Sequence, residues 1–296
     1  MNDTTTSFHT ARAFLQREGR LLERRLFATL FERAPADGVL DALRGYRNTD
    51  GGFGHGLEPD KLCPASLPID VDIAFQVMDA AGDIDRHMID DACEYLVSVS
   101  RDGGVALADP VIERYPRAEH LTDWTYQIDL NPTAGLTGLL HKFGVDHPWV
   151  KAATTFCWDA LDTGLPTEAH ALGETLVFLE HVPDRDRAEQ VSVRLSEHLP
   201  SVKLLQLDPH AGGYGVSPLQ YAPRPDSPWR GLFSDELIEG HLDRLASGQQ
   251  DDGGWPIAWN PPAHSSTLAW RGIETLRALR VLAAYGRLTP ASPPTN

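Results

Sequence analysis

Apolar residues recur every three or four positions along most of this chain, the spacing that places side chains on one face of an α-helix. Some of these segments carry charge on the opposite face, whereas others, such as 70–81, 132–143 and 166–181, are apolar or small nearly all round. A helix that is apolar on every side must be buried on every side. The alternation of the two kinds predicts an inner ring of buried helices inside an outer ring of amphipathic ones.

The pattern predicts about ten to twelve helices and no strand. They cover residues 8–33 with a break at Gly19, 36–47, 70–81, 88–99, 132–143, 148–162, 166–181, 185–199, 234–247 and 263–285. Two long connections, 101–131 and 208–232, are rich in aromatic residues, and such loops are typically lids or binding loops. We expect one domain over residues 1–286 and a disordered tail over 287–296, where the composition does not favour packing.

A short glycine-rich string recurs along the chain. It reads NTDGGFG at 48–54, RDGG at 101–104, AGGYG at 211–215 and QDDGGW at 250–255. Glycine allows a positive φ and a close approach of one chain segment to another, and Asp can cap the backbone N–H groups of a turn. The repeat predicts a structural turn between helices, so these residues are not nominated as catalytic.

The strings QQDDGGW and RNTDGGFG resemble the repeat shared by squalene–hopene cyclases, other class II terpene cyclases and protein prenyltransferase β subunits. The resemblance implies an all-α fold, a single (α/α)6 toroid with a central, largely apolar cavity. It also implies an isomerase or lyase that acts on a small, apolar, isoprenoid-like substrate by proton-initiated cyclisation or isomerisation. No cofactor would be required, and Mg²⁺ would be needed only if the substrate were a diphosphate.

The acid of class II cyclases lies in an Asp-x-Asp-Asp motif followed by Thr-Ala, and its nearest match here is Asp70-Val71-Asp72-Ile73-Ala74. The resemblance implies that Asp72 is the proton donor and Asp70 its partner, although Ile73 replaces the third Asp. Side chains two positions apart on a helix diverge. We therefore expect Asp70 to cap the helix and Asp72 to face the cavity, so that Asp72→Asn abolishes turnover with little change in melting temperature. The alternative is that these carboxylates only cap the helix.

Polar and aromatic residues complete the predicted site. The expected substrate-binding residues are His55, Glu58, Asp60, Phe75, Trp124, Tyr126, Trp259, His264 and Trp270. Aromatic faces stabilise cations in dry cavities, as a carbocation cyclase requires. The alternative is that Trp270 is a structural residue of the hydrophobic core.

Two patterns contain metal-ligand residue types, but we predict no bound metal. Asp90-Asp91-Ala92-Cys93-Glu94 has the letters of a Mg²⁺-binding motif, yet it lies on an amphipathic helix, which indicates a solvated face. His170 and Glu174 are four positions apart and share one helix face. They would need a third ligand from elsewhere, so a hydrogen bond within the helix is the simpler interpretation.

The composition of the chain argues against several classes of binding partner. The 26 basic and 42 acidic residues give a net charge of −16, which repels phosphate backbones and argues against nucleic acid. Three cysteines without a CxxC pair fit a reducing compartment. No apolar stretch approaches the ~20 residues of a membrane span, and no signal peptide begins the chain. We expect a cytoplasmic protein without an integral membrane segment.

Two other function classes remain open. An (α/α)6 glycosidase or lyase would use carboxylates such as Glu58, Asp72 and Glu174, and a polar cavity would favour it. A non-catalytic protein would keep the toroid to bind a lipid or a partner, and the lack of an accessible acid would favour that.

Overall fold

The computed structural model describes residues 4–290. Over this range the chain is helical, with isolated bridges between extended residues and no β-strand. Its α-helices are α1 (Thr4–Glu18), α2 (Leu21–Glu32), α3 (Asp37–Arg44), α4 (Pro68–Ala81), α5 (Arg86–Val99), α6 (Leu130–Lys142), α7 (Pro148–Thr163), α8 (Ala169–His181), α9 (Arg185–His198), α10 (Pro218–Tyr221), α11 (Asp235–Ser247) and α12 (His264–Ala284). The predicted all-α class is confirmed.

The predicted helices agree with the observed ones to within a few residues. The expected break at Gly19 separates α1 from α2, and a Cβ there would lie 2.7 Å from the carbonyl oxygen of Leu15. The largest difference is at α1, which begins four residues before the predicted start, and α8 begins three residues after its predicted start. Its N-cap is Glu168, whose side chain accepts hydrogen bonds from the backbone N–H groups of His170 and Ala171. These bonds fix the start of the helix after Pro166.

The chain divides into two compact units, Met1–Leu43 with Gln206–Asn296, and Arg44–Leu205. In the first unit, α12 packs against α1, α2 and α11, and α10 packs against α11. In the second unit, α6 packs against α4, α7 and α8. Residues 132–140 of α6 are all buried, as their apolar pattern predicted, so α6 forms the core of this unit. The ring closure implied by the resemblance stays a prediction.

Three of the four glycine-rich strings form similar turns, of which the one at 101–104 is a residue shorter. In each, the residue at the start of the turn donates its backbone N–H to the second glycine, at 2.9 Å for Asn48 to Gly52, Arg101 to Gly104 and Gln250 to Gly254. The first glycine of each pair has a φ between 86° and 94°. A Cβ there would lie 2.2 to 2.5 Å from the backbone of a neighbouring helix, which is α5, α7 or α1. These glycines therefore set how closely each turn meets its helix.

The fourth string, at 211–215, is a different structure. Gly213 has a φ of 81°, but a Cβ at this position would meet nothing within 4 Å. Tyr214, the aromatic that follows the glycine pair, is 42% exposed, whereas Phe53 and Trp255 in the matching positions are buried. The turn therefore recurs at three places, and the aromatic residue is a core anchor at two of them.

The predicted tail over 287–296 begins with packed residues. Leu288 is buried, and Arg287 forms ion pairs with Glu239 and Asp243 of α11. The rest of the predicted tail, from 291 onward, lies outside the described residues. None of the helices in the described range is both long and apolar enough to cross a membrane.

The glycine turns make a prediction for stability. Gly253→Ala should lower the free energy of unfolding by at least about 1–2 kcal/mol, because alanine disfavours the left-handed conformation and its Cβ would collide with the carbonyl oxygen of Thr10. The control is Gly212→Ala, at an exposed position where a Cβ would have open space. Urea denaturation of both variants measures the difference. Equal midpoints would contradict the close approach.

Candidate functional site

The sequence led us to expect that Asp70 caps α4, but the structure shows that it does not. The N-cap is Leu67, followed by Pro68, and Asp70 lies within the first turn with its side chain fully buried. Its carboxylate accepts hydrogen bonds from the backbone N–H of Glu58 at 2.8 Å and from Nζ of Lys61 at 3.0 Å. The capping prediction was wrong because a loop before the helix supplies stronger partners for this carboxylate.

The buried ammonium group of Lys61 holds this cluster together. Only 1% of its side chain is exposed, and it contacts Glu58 Oε2 at 3.2 Å as well as Asp70. Burial lowers the pKa of Lys61, but the Asp70 and Glu58 carboxylates together raise it above its ordinary value. Burial raises the pKa of Glu58, and Lys61 opposes that rise. Asp70 therefore attaches the loop that contains Glu58 and Lys61 to α4.

Asp60 attaches the first long connection to the same loop. Its Oδ2 contacts Nε2 of His120 at 3.2 Å, and its carbonyl oxygen accepts the N–H of Ala118 at 2.7 Å. The bond to Asp60 raises the pKa of His120. Apolar residues extend the attachment in a small core of Cys63, Leu67, Ala108, Ile112 and Leu121. Residues 105–126 are therefore packed against the chain before α4, and Glu58 and Asp60 serve that packing.

Asp72 lies in a different environment from Asp70. Its side chain is buried within α4, and Oδ2 accepts a hydrogen bond from Nε2 of Gln76 at 2.7 Å. Its other oxygen, Oδ1, is buried without a hydrogen-bond partner among the described residues. Burial raises the pKa of Asp72 to about 7, and the bond from Gln76 opposes the rise. Asp72 is therefore a carboxyl group that can be protonated near neutral pH.

Glu174 of α8 meets Asp72 in a space left open by Gly135 of α6. A Cβ on Gly135 would lie 1.5 Å from Oε2 of Glu174 and 3.4 Å from Oδ1 of Asp72. The distance between Oε2 of Glu174 and Oδ1 of Asp72 is therefore no greater than the sum of these two distances. Burial raises the pKa of Glu174 well above its ordinary value, and the charge of Asp72 raises it further. The helices α4 and α8 thus bring two carboxyl groups together over one glycine.

Two carboxyl groups this close in a poorly solvated place disfavour each other's ionisation. The two groups therefore titrate together, and retention of a proton by one of them is favoured near neutral pH. A pair of this kind can supply a proton as a general acid and accept one as a general base. We call Asp72 and Glu174 the carboxyl pair.

Both apolar and polar residues flank the carboxyl pair along α4 and α8. Ile73, Val77, Gly173 and Val177 are partly exposed, as is His170 one helical turn before Glu174, and Gln76 is exposed. Glu174 itself is partly exposed, whereas Asp72 is only 4% exposed. The pair therefore combines one partly exposed and one buried acidic residue.

Several predicted site residues lie elsewhere in the second unit. His55 has a φ of 57° and bonds through Nε2 to Asn48, within the first glycine turn. Phe75 is fully buried and contacts Phe143 edge to face. Trp124 is 49% exposed and donates to the carbonyl oxygen of His120, and Tyr126 donates its hydroxyl to Glu113. These contacts are structural, and none of them reaches the carboxyl pair.

The first unit contains the other predicted aromatic residues. Trp259 lies between Trp270 and Tyr214, with ring centroids 5.0 and 5.4 Å apart and rings nearly perpendicular. Trp259 and Trp270 are partly exposed, and His264 is exposed at the start of α12. Trp259 and Trp270, both expected from the sequence to bind substrate, therefore contact each other, and their role in binding stays a prediction.

The two metal-type patterns have other roles in the described part of the chain. Asp90, Asp91 and Glu94 are exposed on α5, as predicted, and Asp91 forms an ion pair with Arg47. His170 bonds through Nδ1 to Glu168 at 2.6 Å. Over residues 4–290, no group of three or more His, Cys, Asp or Glu side chains is placed to hold a metal ion.

An open groove of about 880 Å³ lies apart from the carboxyl pair. It is bordered by Asp102, Asp129, Asp159 and Glu168 together with apolar residues of α7, and neither Asp72 nor Glu174 lines it. Asp129 and Glu168 cap α6 and α8, so part of its acidic border has a structural role. The groove and the carboxyl pair are therefore separate features of the second unit.

The sequence contained two weak signals for this pair. Glu174 is a lone acidic residue within the apolar run Ala171–Leu179, and α6 contains two glycines, Gly135 and Gly138, that allow close packing. The sequence suggests Glu174 as a metal ligand or as a carboxylate of a glycosidase. Neither hypothesis predicts that Glu174 lies beside Asp72, because this proximity depends on how two distant helices pack on a third.

The buried cluster makes a prediction. Lys61→Met should lower the free energy of unfolding by roughly 3–5 kcal/mol, because it leaves two buried carboxylates without their cation. The matched control is Lys142→Met, which breaks a part-exposed pair with Asp79 and should cost less than about 1 kcal/mol. Chemical denaturation at neutral pH compares the two, and similar losses would contradict the central role of Lys61.

Asp72→Asn should change the pH dependence of stability. The folded-state pKa of Asp72 is raised, so wild-type stability is fully present below the unfolded pKa of about 4 and is lost as pH rises toward about 7. Asn carries no ionisable group. The variant should therefore gain stability relative to wild type between pH 4.5 and pH 8, by roughly 1.4 kcal/mol for each unit of pKa shift. Denaturation midpoints at both pH values test this, and a pH-independent difference would contradict it.

Comparisons with known proteins bear on the fold only. No protein-family model matches this chain, and no curated protein matches it significantly. A crystal structure of a protein from Actinoplanes is similar to it, with 16% sequence identity and a TM-score of 0.55. The similarity covers 95% of this chain and 100% of that one. It shows a shared fold, and function has to be inferred from the site.

Proposed function

We propose that this protein is an acid–base enzyme that isomerises or cyclises a small, apolar, isoprenoid-like substrate by proton transfer at the Asp72–Glu174 carboxyl pair. The single observation that carries the proposal is the meeting of these two carboxyl groups over Gly135. The proposal includes the (α/α)6 ring, a cytoplasmic location and no required cofactor. Mg²⁺ enters only if the substrate is a diphosphate.

The state of the pair supports proton transfer at neutral pH. A carboxyl group can donate a proton at neutral pH only when its pKa is raised toward the working pH, and burial raises the pKa of both Glu174 and Asp72, the latter to about 7. An ordinary carboxyl group is fully ionised at this pH and has no proton to give. Keeping one proton between two carboxyl groups provides a donor and an acceptor in one place.

The apolar residues beside the pair support an apolar substrate. Ile73, Val77 and Val177 keep partial exposure beside the pair, and such side chains offer few hydrogen bonds to a polar ligand. In an isomerisation, the pair gives a proton to one carbon of a double bond, which leaves a cation on the other carbon of that bond. The pair then removes a proton from a carbon bonded to the cationic one. One C–H bond forms and one breaks, so the substrate leaves with its composition unchanged and the pair regains its proton.

A second candidate is a glycosidase or lyase of the (α/α)6 type. The observation that favours it is the same pair, because glycosidases use two carboxyl groups, one of them with a raised pKa. Such an enzyme needs polar contacts for sugar hydroxyl groups. The apolar residues beside the pair therefore favour the isoprenoid substrate.

The proposal is tested in heavy water. Purified protein is incubated with polyprenyl alcohols, polyprenyl diphosphates and an apolar cell extract, and mass spectrometry measures deuterium incorporated at carbon. Native mass spectrometry identifies which compounds bind. We expect incorporation into an isoprenoid, with the rate reduced by 100-fold or more in Asp72→Asn and in Glu174→Gln, because each loses one half of the pair.

Matched controls are Asp79→Asn on α4 and Glu180→Gln on α8, which make the same changes at partly exposed positions outside the pair. Both should keep wild-type rates. Full activity of Asp72→Asn or Glu174→Gln would overturn the proposal. Hydrolysis of glycosides, with no exchange into isoprenoids, would support the second candidate in its place.

A further inference from the structure

Asp72 and Glu174 form an unequal pair, because Gln76 contacts only one of them. We infer that Glu174 holds the shared proton and is the acid of the pair, and that Gln76 is a positioning residue that keeps Asp72 as the anion. This differs from the sequence-based expectation that Asp72 is the donor. Its catalytic meaning rests on the proposed function, but the location of the proton can be measured without a substrate.

The first argument is the direction of the hydrogen bond. Nε2 of Gln76 can only donate, and it lies 2.7 Å from Oδ2 of Asp72. A hydrogen bond donated to a carboxylate stabilises the charged form. Among the described residues, no comparable donor is recorded at the carboxyl group of Glu174. When the pair holds one proton, the charge is therefore more stable on Asp72 and the proton on Glu174.

The second argument is access. A general acid has to come within hydrogen-bond distance of the atom that it protonates. Asp72 is 4% exposed, and its Oδ1 is buried. Glu174 is partly exposed. A ligand can therefore contact Glu174 directly, whereas Asp72 acts on the ligand through its charge.

The third argument is the space at Gly135. The carboxyl group of Glu174 occupies the volume that a side chain at this position would fill, since a Cβ would lie 1.5 Å from Oε2. This placement holds Glu174 beside the charge of Asp72, which raises the pKa of Glu174 further. An anionic Asp72 thus helps to retain the proton on Glu174 in the absence of substrate.

The inference gives each group a task in the proposed isomerisation. Glu174 donates its proton to one carbon and becomes a carboxylate, so a cation develops on the substrate next to two negative charges. The Glu174 carboxylate then removes a proton from the adjacent carbon and is restored to the acid. Asp72 remains an anion throughout and stabilises the developing cation.

The test is a carbon-13 NMR titration of the side-chain carboxyl groups in the full-length protein, without substrate. Asp72→Asn and Glu174→Gln each remove one resonance and so assign the pair. As pH rises, we expect the Asp72 resonance to shift first, near pH 7, while Glu174 stays protonated to higher pH. Gln76→Leu should move the Asp72 step to higher pH. Gln190→Leu, an exposed substitution on α9, should move neither.

The outcomes separate this inference from the proposed function. If Glu174 shifts first, or if Gln76→Leu leaves the Asp72 step in place, the assignment of the acid is overturned while a proton-sharing pair remains. If both groups titrate at an ordinary carboxyl pKa of about 4, the pair does not share a proton and the proposed function fails as well. If Asp72 shifts first and Gln76→Leu raises its step, the assignment is supported.

Discussion

Close approach of chain segments at glycine is the constraint on which this structure depends. At Gly51, Gly103 and Gly253, a turn contacts the backbone of a neighbouring helix so closely that a Cβ would collide with it. On α6, a Cβ at Gly138 would lie 2.6 Å from the carbonyl oxygen of Val177 in α8, and Gly135 leaves room for the carboxyl group of Glu174. The same lack of a side chain therefore fixes the helix packing and makes space for the carboxyl group of Glu174.

Two buried acids at the start of α4 show two ways of tolerating a carboxyl group away from water. Lys61 and a backbone N–H bond the carboxyl group of Asp70 and compensate for its lost hydration. Asp72 has only the amide of Gln76, and burial raises its pKa. The residues are two positions apart, yet one stabilises the fold and the other belongs to a pair that can exchange a proton. The difference comes from what each side chain meets.

Burial of an acid pair in apolar surroundings costs stability, because every proton retained above the ordinary carboxyl pKa reflects an unfavourable environment for charge. In the Lys61–Glu58–Asp70 cluster, the ammonium group of Lys61 opposes the rise that burial causes in the pKa of Glu58. A structural role alone could be filled by an apolar residue at Asp72 or at Glu174. The presence of both carboxyl groups over one glycine is therefore more readily explained by function.

The sequence by itself determined the helical class, the helix limits to within a few residues and the turn made by the glycine-rich strings. These features depend on local spacing, because periodicity and glycine pairs act within one helix or one turn. It also placed Asp72 in an apolar helix. Only the tertiary structure decided that Asp70 binds Lys61 and that Asp72 meets Glu174. The second contact joins α4 and α8 across α6, and periodicity within one helix carries no information about which distant side chains share a buried space.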